Sequence, residues 1–203
     1  MSINNNKGNL IVISGPSGVG KGTLCRALLK KYSDIDYSVS ATTRKPRPGE
    51  VHGKEYWFYS KEDFEKLIAD NQLLEWAKVY NNYYGTPIDY VQEVIDKRKD
   101  CILEIDVQGA MKVKSKWSEG VFIFIAPPSK EELIRRITFR GTESDQEIKK
   151  RMSQTDEEMR CISNYDYVVV NDDIDKAVES IRAIIVAERC NITRLDSLKA
   201  DIG

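Results

Sequence analysis

Leu10-Ile11-Val12-Ile13-Ser14-Gly15-Pro16-Ser17-Gly18-Val19-Gly20-Lys21-Gly22-Thr23 decides the reading of this chain. Four apolar residues without a charge suit a strand buried on both faces of a parallel sheet. Behind them Gly15, Gly18 and Gly20 tolerate positive φ and carry no Cβ, so successive backbone N–H groups can turn inward around phosphate oxygens. Lys21 adds a mobile positive charge. A helix starting near Gly22 and running through Leu24, Ala27 and Leu28 aims its unpaired amides and dipole at the same anion. Strand, glycine-rich turn, lysine and helix together form a P-loop. One position departs from the general pattern: Gly22 stands where Ser or Thr is usual, and Thr23 follows one place later.

Working outward, further apolar runs at residues 101–106, 121–125 and 167–170 have the same character as residues 10–14. Helical periodicity is expected over 22–32, 61–70, 88–97, 108–116, 130–139, 145–162 and 174–194. Buried strands alternating with helices predict an α/β protein of three layers around a parallel sheet, with its ligand at the carboxyl ends of the strands. Asp106 and the P-loop fall at such ends. Between about residues 38 and 87 aromatic, Thr and Gly residues dominate, as in Tyr56-Trp57-Phe58-Tyr59, and predict an inserted lobe of short mixed strands. A stretch rich in Arg, Glu and Thr at about 136–158 predicts a short helical lid. The expected organisation is one domain, with its core at about 8–37, 88–135 and 160–195.

With 203 residues, 31 Lys and Arg against 32 Asp and Glu, the chain has room for one core and no global positive field to hold a nucleic acid. Cys25, Cys101, Cys161 and Cys190 are widely spaced, which suggests buried reduced thiols rather than a zinc site or disulfides. No apolar run is long enough to span a bilayer, and residues 1–8 do not resemble a secretion signal, so a cytoplasmic protein without membrane attachment is expected. The one histidine, His52, is read as a surface residue of a glycine-flanked loop.

Taken together these blocks resemble the guanylate kinases, over residues 8–188. Besides the P-loop, the resemblance rests on Ser38-Val39-Ser40-Ala41-Thr42-Thr43-Arg44, Gly49-Glu50, Tyr83-Tyr84-Gly85-Thr86, Ile105-Asp106-Val107-Gln108-Gly109, Ala126-Pro127-Pro128-Ser129 and Arg140-Gly141-Thr142. Gly-Lys-Gly-Thr is also the P-loop form associated with nucleoside monophosphate kinases. The resemblance implies transfer of the γ-phosphoryl group of ATP to GMP, with Mg²⁺ as cofactor, by a monomer or homodimer whose partners are those two small molecules.

It also implies roles for particular residues. Gly15, Pro16, Ser17, Gly18, Val19, Gly20, Lys21, Gly22 and Thr23 would hold the ATP phosphates, and Asn171 would lie near adenine. Arg44, Arg47, Tyr56 and Tyr84 would hold the GMP phosphate, which carries close to two negative charges because its second pKa is about 6. Guanine presents two adjacent donors beside an acceptor, and Glu75, with Ser40 and Thr86, would read that edge. Asp106 is open between the guanine amino group and the waters of Mg²⁺, with Glu104 on the same strand face as a helper. Thr23 would meet either Mg²⁺ or a phosphate oxygen. Lys21, Arg136, Arg140 and Arg151 would neutralise charge during transfer, whereas Arg135 is read as a surface partner of neighbouring glutamates. An AMP or UMP kinase would not need Glu75 with Ser40 and Thr86. A non-catalytic scaffold of this family would carry a degraded P-loop, and a GTP-binding switch would carry an Asn-Lys-x-Asp motif, which is absent.

Overall fold

Two sheets, one parallel and one mixed, organise the computed structural model, which describes residues 7–138 and 155–194. Strand β1 (Leu10–Ser14) is buried at every residue, as an uncharged run at the middle of a sheet must be. It lies between β7 (Asp100–Glu104) and β8 (Val121–Ala126), in parallel register Leu10 to Cys101 and Ile11 to Val121. The edges are β2 (Ile35–Tyr37), paired with β7, and β9 (Tyr167–Val170), paired with β8. The order β2-β7-β1-β8-β9 is parallel throughout, so all five strands point their carboxyl ends the same way. Helices α1 (Lys21–Lys31), α3 (Ile88–Asp96), α4 (Val107–Lys116) and the last helix, α6 (Ile174–Arg189), cover it. Leu24, Leu28, Ile181 and Ile185 fill one face, and Leu74, Val91, Ala110 and Val113 the other.

The mixed sheet has the order β4 (Trp57–Phe58), β3 (Ala41–Thr42), β6 (Asn82–Pro87), β5 (Leu73–Val79), with α2 (Lys61–Ala69) packed on it through Phe64. Helix α4 joins the two bodies. Lys116 Nζ donates to the carbonyl of Leu73 at 2.9 Å, and Lys112 Nζ to that of Trp76 at 2.8 Å.

The three-layer α/β reading holds, with four corrections of detail. Strand β2 was not expected, because three residues at a sheet edge carry too short a pattern to read. Strand β7 ends at Glu104. Asp106 instead caps α4, accepting from Gly109 N at 2.7 Å, since a carboxylate competes well for the open amides of a first helical turn. The final helix stops at Arg189 rather than 194, followed by a 3₁₀ turn at Ile192–Arg194. Of the helix expected over 145–162, residues 155–160 are helical and Cys161–Asn164 form a 3₁₀ turn. Helix α5 (Lys130–Thr138) precedes the stretch 139–154; Arg140 and Arg151, with most of the lid, lie outside the described residues. Cys25 and Cys101 are buried, but Cys161 is half-buried and Cys190 exposed; all four are free thiols.

Candidate active site

The P-loop leaves β1 and enters α1 through Gly20, at φ 98°, ψ 19°. A side chain there would also begin 2.6 Å from Asn171 Nδ2, so the position demands glycine on two counts. Asn171, at the carboxyl end of β9 and 4% exposed, donates that Nδ2 to the carbonyl of Val19 at 2.7 Å. Arg136, from α5, donates Nη1 to the carbonyl of Asn171 at 3.1 Å and Nε to Glu132 at 2.8 Å. The loop is therefore tied from behind by two elements far away in sequence. Arg135 pairs with Glu132 on the exposed face of the same helix, as read from the sequence.

Lys21 Nζ donates to the carbonyls of Gly15 at 2.6 Å and Pro16 at 3.2 Å, so its ammonium rests at the rim of the loop. Burial pulls its pKa below the usual lysine value, against the raising pull of Glu104, Glu158 and Asp106. Glu158, on the helical segment 155–160, accepts weakly from Ser17 N at 3.4 Å; a carboxylate thus sits against a P-loop amide. Its own pKa is raised, chiefly by burial, while Ser17 N–H and Lys21 oppose the rise. Thr23 is exposed and accepts from Arg26 at 3.4 Å.

Gly22, where the pattern departs, packs close to a carboxylate. A Cβ on Gly22 would lie 3.3 Å from Glu104 Oε1 and 3.5 Å from Oε2. Glu104 closes β7, the strand beside β1, and its Oε2 accepts from Tyr37 OH at 3.3 Å. A side chain after the lysine would press on this carboxylate, which would have to give by a few tenths of an ångström.

In the mixed sheet, β5 and β6 pair Leu73 with Pro87 and then Trp76 with Gly85, an irregularity that breaks alternation. Leu73, Leu74 and Glu75 are consequently buried in succession, and Glu75 is aimed inward rather than into solvent. Its Oε1 accepts from Thr86 Oγ1 at 2.9 Å, while its Oε2 lies against Gly109 in the first turn of α4. Burial raises the Glu75 pKa, Thr86 opposes the rise and Asp106 adds to it. Asp106, itself exposed, acts electrostatically on both Lys21 and Glu75. The phosphate loop and the buried carboxylate of the mixed sheet thus share a neighbour.

Ser40, Arg44, Arg47 and Tyr56 come from the ends of β3 and β4 and the turn between them; Tyr84 and Thr86 lie two apart on β6. Arg44 carries its guanidinium carbon 5.3 Å from the Tyr56 ring centroid and 5.8 Å from that of Phe58, and Tyr56 meets Tyr84 edge-on at 6.1 Å. Arg47 is exposed. His52 is exposed as expected; its Nδ1 accepts from Phe58 N at 3.2 Å, a turn-closing role. Sequence reasoning assigned no part to Glu50, which pairs with Arg44, or to Glu158. Glu50 stood in a family block and had a signal, whereas Glu158 had none.

A P-loop at the carboxyl ends of a 2-7-1-8-9 parallel sheet, facing a second lobe that gathers arginines, tyrosines and a buried carboxylate, defines the P-loop nucleotide kinases as the class. Residues 7–188 match the guanylate kinase family model. The chain is 58% identical over 188 residues to the guanylate kinase of Caldanaerobacter subterraneus subsp. tengcongensis, covering 93% of this chain and 91% of that one. It is 59% identical over 189 residues to that of Shouchella clausii, covering 93% and 92%. The crystal structure of guanylate kinase from Anaplasma phagocytophilum aligns with a TM-score of 0.76 at 35% identity, covering 98% and 95%. The chain belongs to the guanylate kinase family, whose members phosphorylate GMP.

Proposed function

We propose that this protein transfers the γ-phosphoryl group of ATP to GMP, giving ADP and GDP, with Mg²⁺, and accepts dGMP as well, since none of the roles assigned to its side chains involves the ribose. The observation that carries the reading is the convergence of two carboxylates on the first turn of α4, where Glu75 Oε2 and Asp106 Oδ1 would each lie 3.4 Å from a Cβ on Gly109, with Asp106 also acting on Lys21 of the P-loop. It brings a carboxylate suited to guanine to the same helix end whose capping residue acts on the phosphate cradle. The P-loop, residues 15–23, would hold the ATP phosphates, with Asn171 anchoring Val19. Arg44, Arg47, Tyr56 and Tyr84 would hold the GMP phosphate, and Glu75, Ser40 and Thr86 the guanine edge. Residues 38–87 would act as the GMP lobe and about 136–158 as a lid that brings Arg136, Arg140 and Arg151 to the transferring group.

An acceptor phosphate is already ionised near neutral pH, so no side chain has to take a proton from it. The work left to the protein is to align two highly charged phosphates, neutralise the charge that spreads over the moving group, and keep water out. Lys21 and the arginines supply cations. Among the described residues no group of three or more His, Cys, Asp or Glu forms a cage for a metal. Thr23, Asp106 and Glu104 fit a small hard cation that is carried mostly by phosphate oxygens and water and needs only one or two protein oxygens. When bound, that ion would supply positive charge to offset the charge of the phosphates.

Supplying guanosine nucleotides within purine metabolism, in the cytoplasm, fits this activity; among the described residues no helix is long and apolar enough to cross a membrane. The test is ADP release with ATP and Mg²⁺, offering GMP, AMP, UMP and CMP in parallel. Turnover with GMP alone is expected. Turnover with another base instead would overturn the assignment of Glu75.

A further inference from the structure

The block Gly49-Glu50 has no part in the roles above, yet Glu50 holds both arginines assigned to the acceptor phosphate. Its two oxygens receive Arg44 Nη1 at 2.8 Å and Nη2 at 2.9 Å. Oε2 also accepts the backbone N–H of Arg47 at 2.7 Å, and Glu50 N donates to the carbonyl of Arg47 at 3.0 Å, closing the turn through Gly49 at φ 89°. The remaining Nη1 hydrogen of Arg44 goes to the carbonyl of Lys45 at 2.8 Å.

A guanidinium has five N–H groups in a fixed fork. Glu50 and Lys45 take the end formed by Nη1 and one Nη2 hydrogen. The side edge, Nε–H with the second Nη2–H, meets neither Glu50 nor Lys45; it offers two parallel donors spaced for two oxygens of one phosphate, with the Tyr84 hydroxyl as a neighbouring partner that such a phosphate would join or displace. The rings of Tyr56 and Phe58 lie beside the guanidinium, and Tyr84 acts on it as a further neighbour. The pair is not an ordinary surface ion pair: the two side chains are 16% and 18% exposed, and the carboxyl of Glu50 is held down to about 2, first by Arg44 and then by the Arg47 N–H.

We propose that Glu50 is the positioning residue of the acceptor-phosphate pocket: it grips one edge of Arg44 and the Arg47 turn so that the other edge of Arg44 stays presented to a monophosphate dianion. The proposal rests on the reading of Arg44 and Arg47 as phosphate holders. Charge alone predicts the opposite effect. A carboxylate near a dianion repels it, so if Glu50 did no positioning, its removal would tighten GMP.

Glu50→Gln keeps the shape but turns an amide N–H₂ toward the Arg44 fork, and Glu50→Ala removes the grip. Steady-state kinetics are measured for both, together with the inhibition constants of GMP's dephosphorylated form, guanosine, and with Arg44→Ala in parallel. Loss of a charge-assisted hydrogen-bonding partner is expected to raise KM for GMP about 10-fold or more. The KM for ATP and the guanosine inhibition constant are expected to stay within about 2-fold, because neither the P-loop nor the base pocket is touched. An unchanged or lower KM for GMP, or guanosine weakened in parallel, would overturn the proposal. Arg44→Ala separates the two layers. If it leaves the preference for GMP over guanosine intact, the phosphate assignment itself is wrong. If it abolishes that preference while the Glu50 variants do not, only the role of Glu50 is wrong.

Discussion

The two ends of the parallel sheet hold the same kinds of residue in opposite states. At the amino end Asp100, 1% exposed, accepts from Asn9 N at 2.8 Å, Asn9 Nδ2 at 3.1 Å and Arg189 Nε at 2.8 Å. Arg189 continues to Asp34 at 2.6 Å, and Arg182 pairs with Asp34 at 3.0 Å while lying over the Tyr32 ring. Each charge there has met its opposite. At the carboxyl end Lys21 is half-buried with loop carbonyls as its hydrogen-bond partners, Glu75 is buried with one hydroxyl, and the Oδ1 of buried Asn171 has no hydrogen-bond partner among the described residues. Closed networks of polar groups specify and stabilise a fold, whereas polar groups left short of partners store the capacity to bind. The contrast shows which end is built to persist and which to take up a ligand.

Substitutions at the two ends should therefore separate turnover from stability. Lys21→Ala is expected to lower kcat by roughly 10²–10³-fold, the usual cost of losing one charge-stabilising donor, with an unchanged circular dichroism spectrum and thermal midpoint. Near-normal turnover would break the comparison at its open end. Asp100→Ala should do the reverse: with the buried Asn9 donors left unpaired and Arg189 left to Asp34, denaturant unfolding should show a loss of about 1–3 kcal/mol, with kcat and KM close to wild type in the folded fraction. A stable variant would mean that the amino-end network contributes little.

Glu75→Gln, the smallest effect, sharpens the boundary between the two behaviours. It should raise KM for GMP about 10-fold, through loss of a charged acceptor, and leave ATP affinity unchanged. Its stability effect has the sign of a raised carboxyl. Burial disfavours the ionised form in the folded protein, so the contribution of Glu75 to stability falls as pH rises from the usual glutamate value through the raised folded one. Above that window Gln removes the penalty, and the thermal midpoint of the free enzyme at neutral pH should equal or exceed wild type. A clear drop in midpoint would show that Glu75 serves the fold rather than the ligand.

Local sequence made the P-loop legible because its parts are contiguous: the strand, the glycines, the lysine and the helix start all lie within 14 residues, Leu10 to Thr23. The buried strands β1 and β8 were legible for the same reason, as uncharged runs, and so was β9, although as an edge strand it leaves Val168 and Val170 exposed. Strand β2 was lost to its length, and the position of Asp106 shifted because capping a helix and ending a strand look alike in sequence. Other features depend on partners that no local pattern contains. Gly22 packs against Glu104, 82 residues away, and Val19 is anchored by Asn171, 152 residues away.

The amino-acid sequence by itself determined that this protein cradles phosphate and that its core is a parallel α/β sheet, since both follow from backbone freedom and hydrophobic pattern within short segments. Tertiary structure alone decided where Glu75 points, through the slipped register of β5 on β6; which edge of Arg44 faces Glu50; and that Glu75 and Asp106 converge on Gly109. Those outcomes depend on the direction of side chains brought together from separate elements. Direction is fixed only when strands pair and helices pack, because a shift of one residue along a strand turns a side chain to the opposite face.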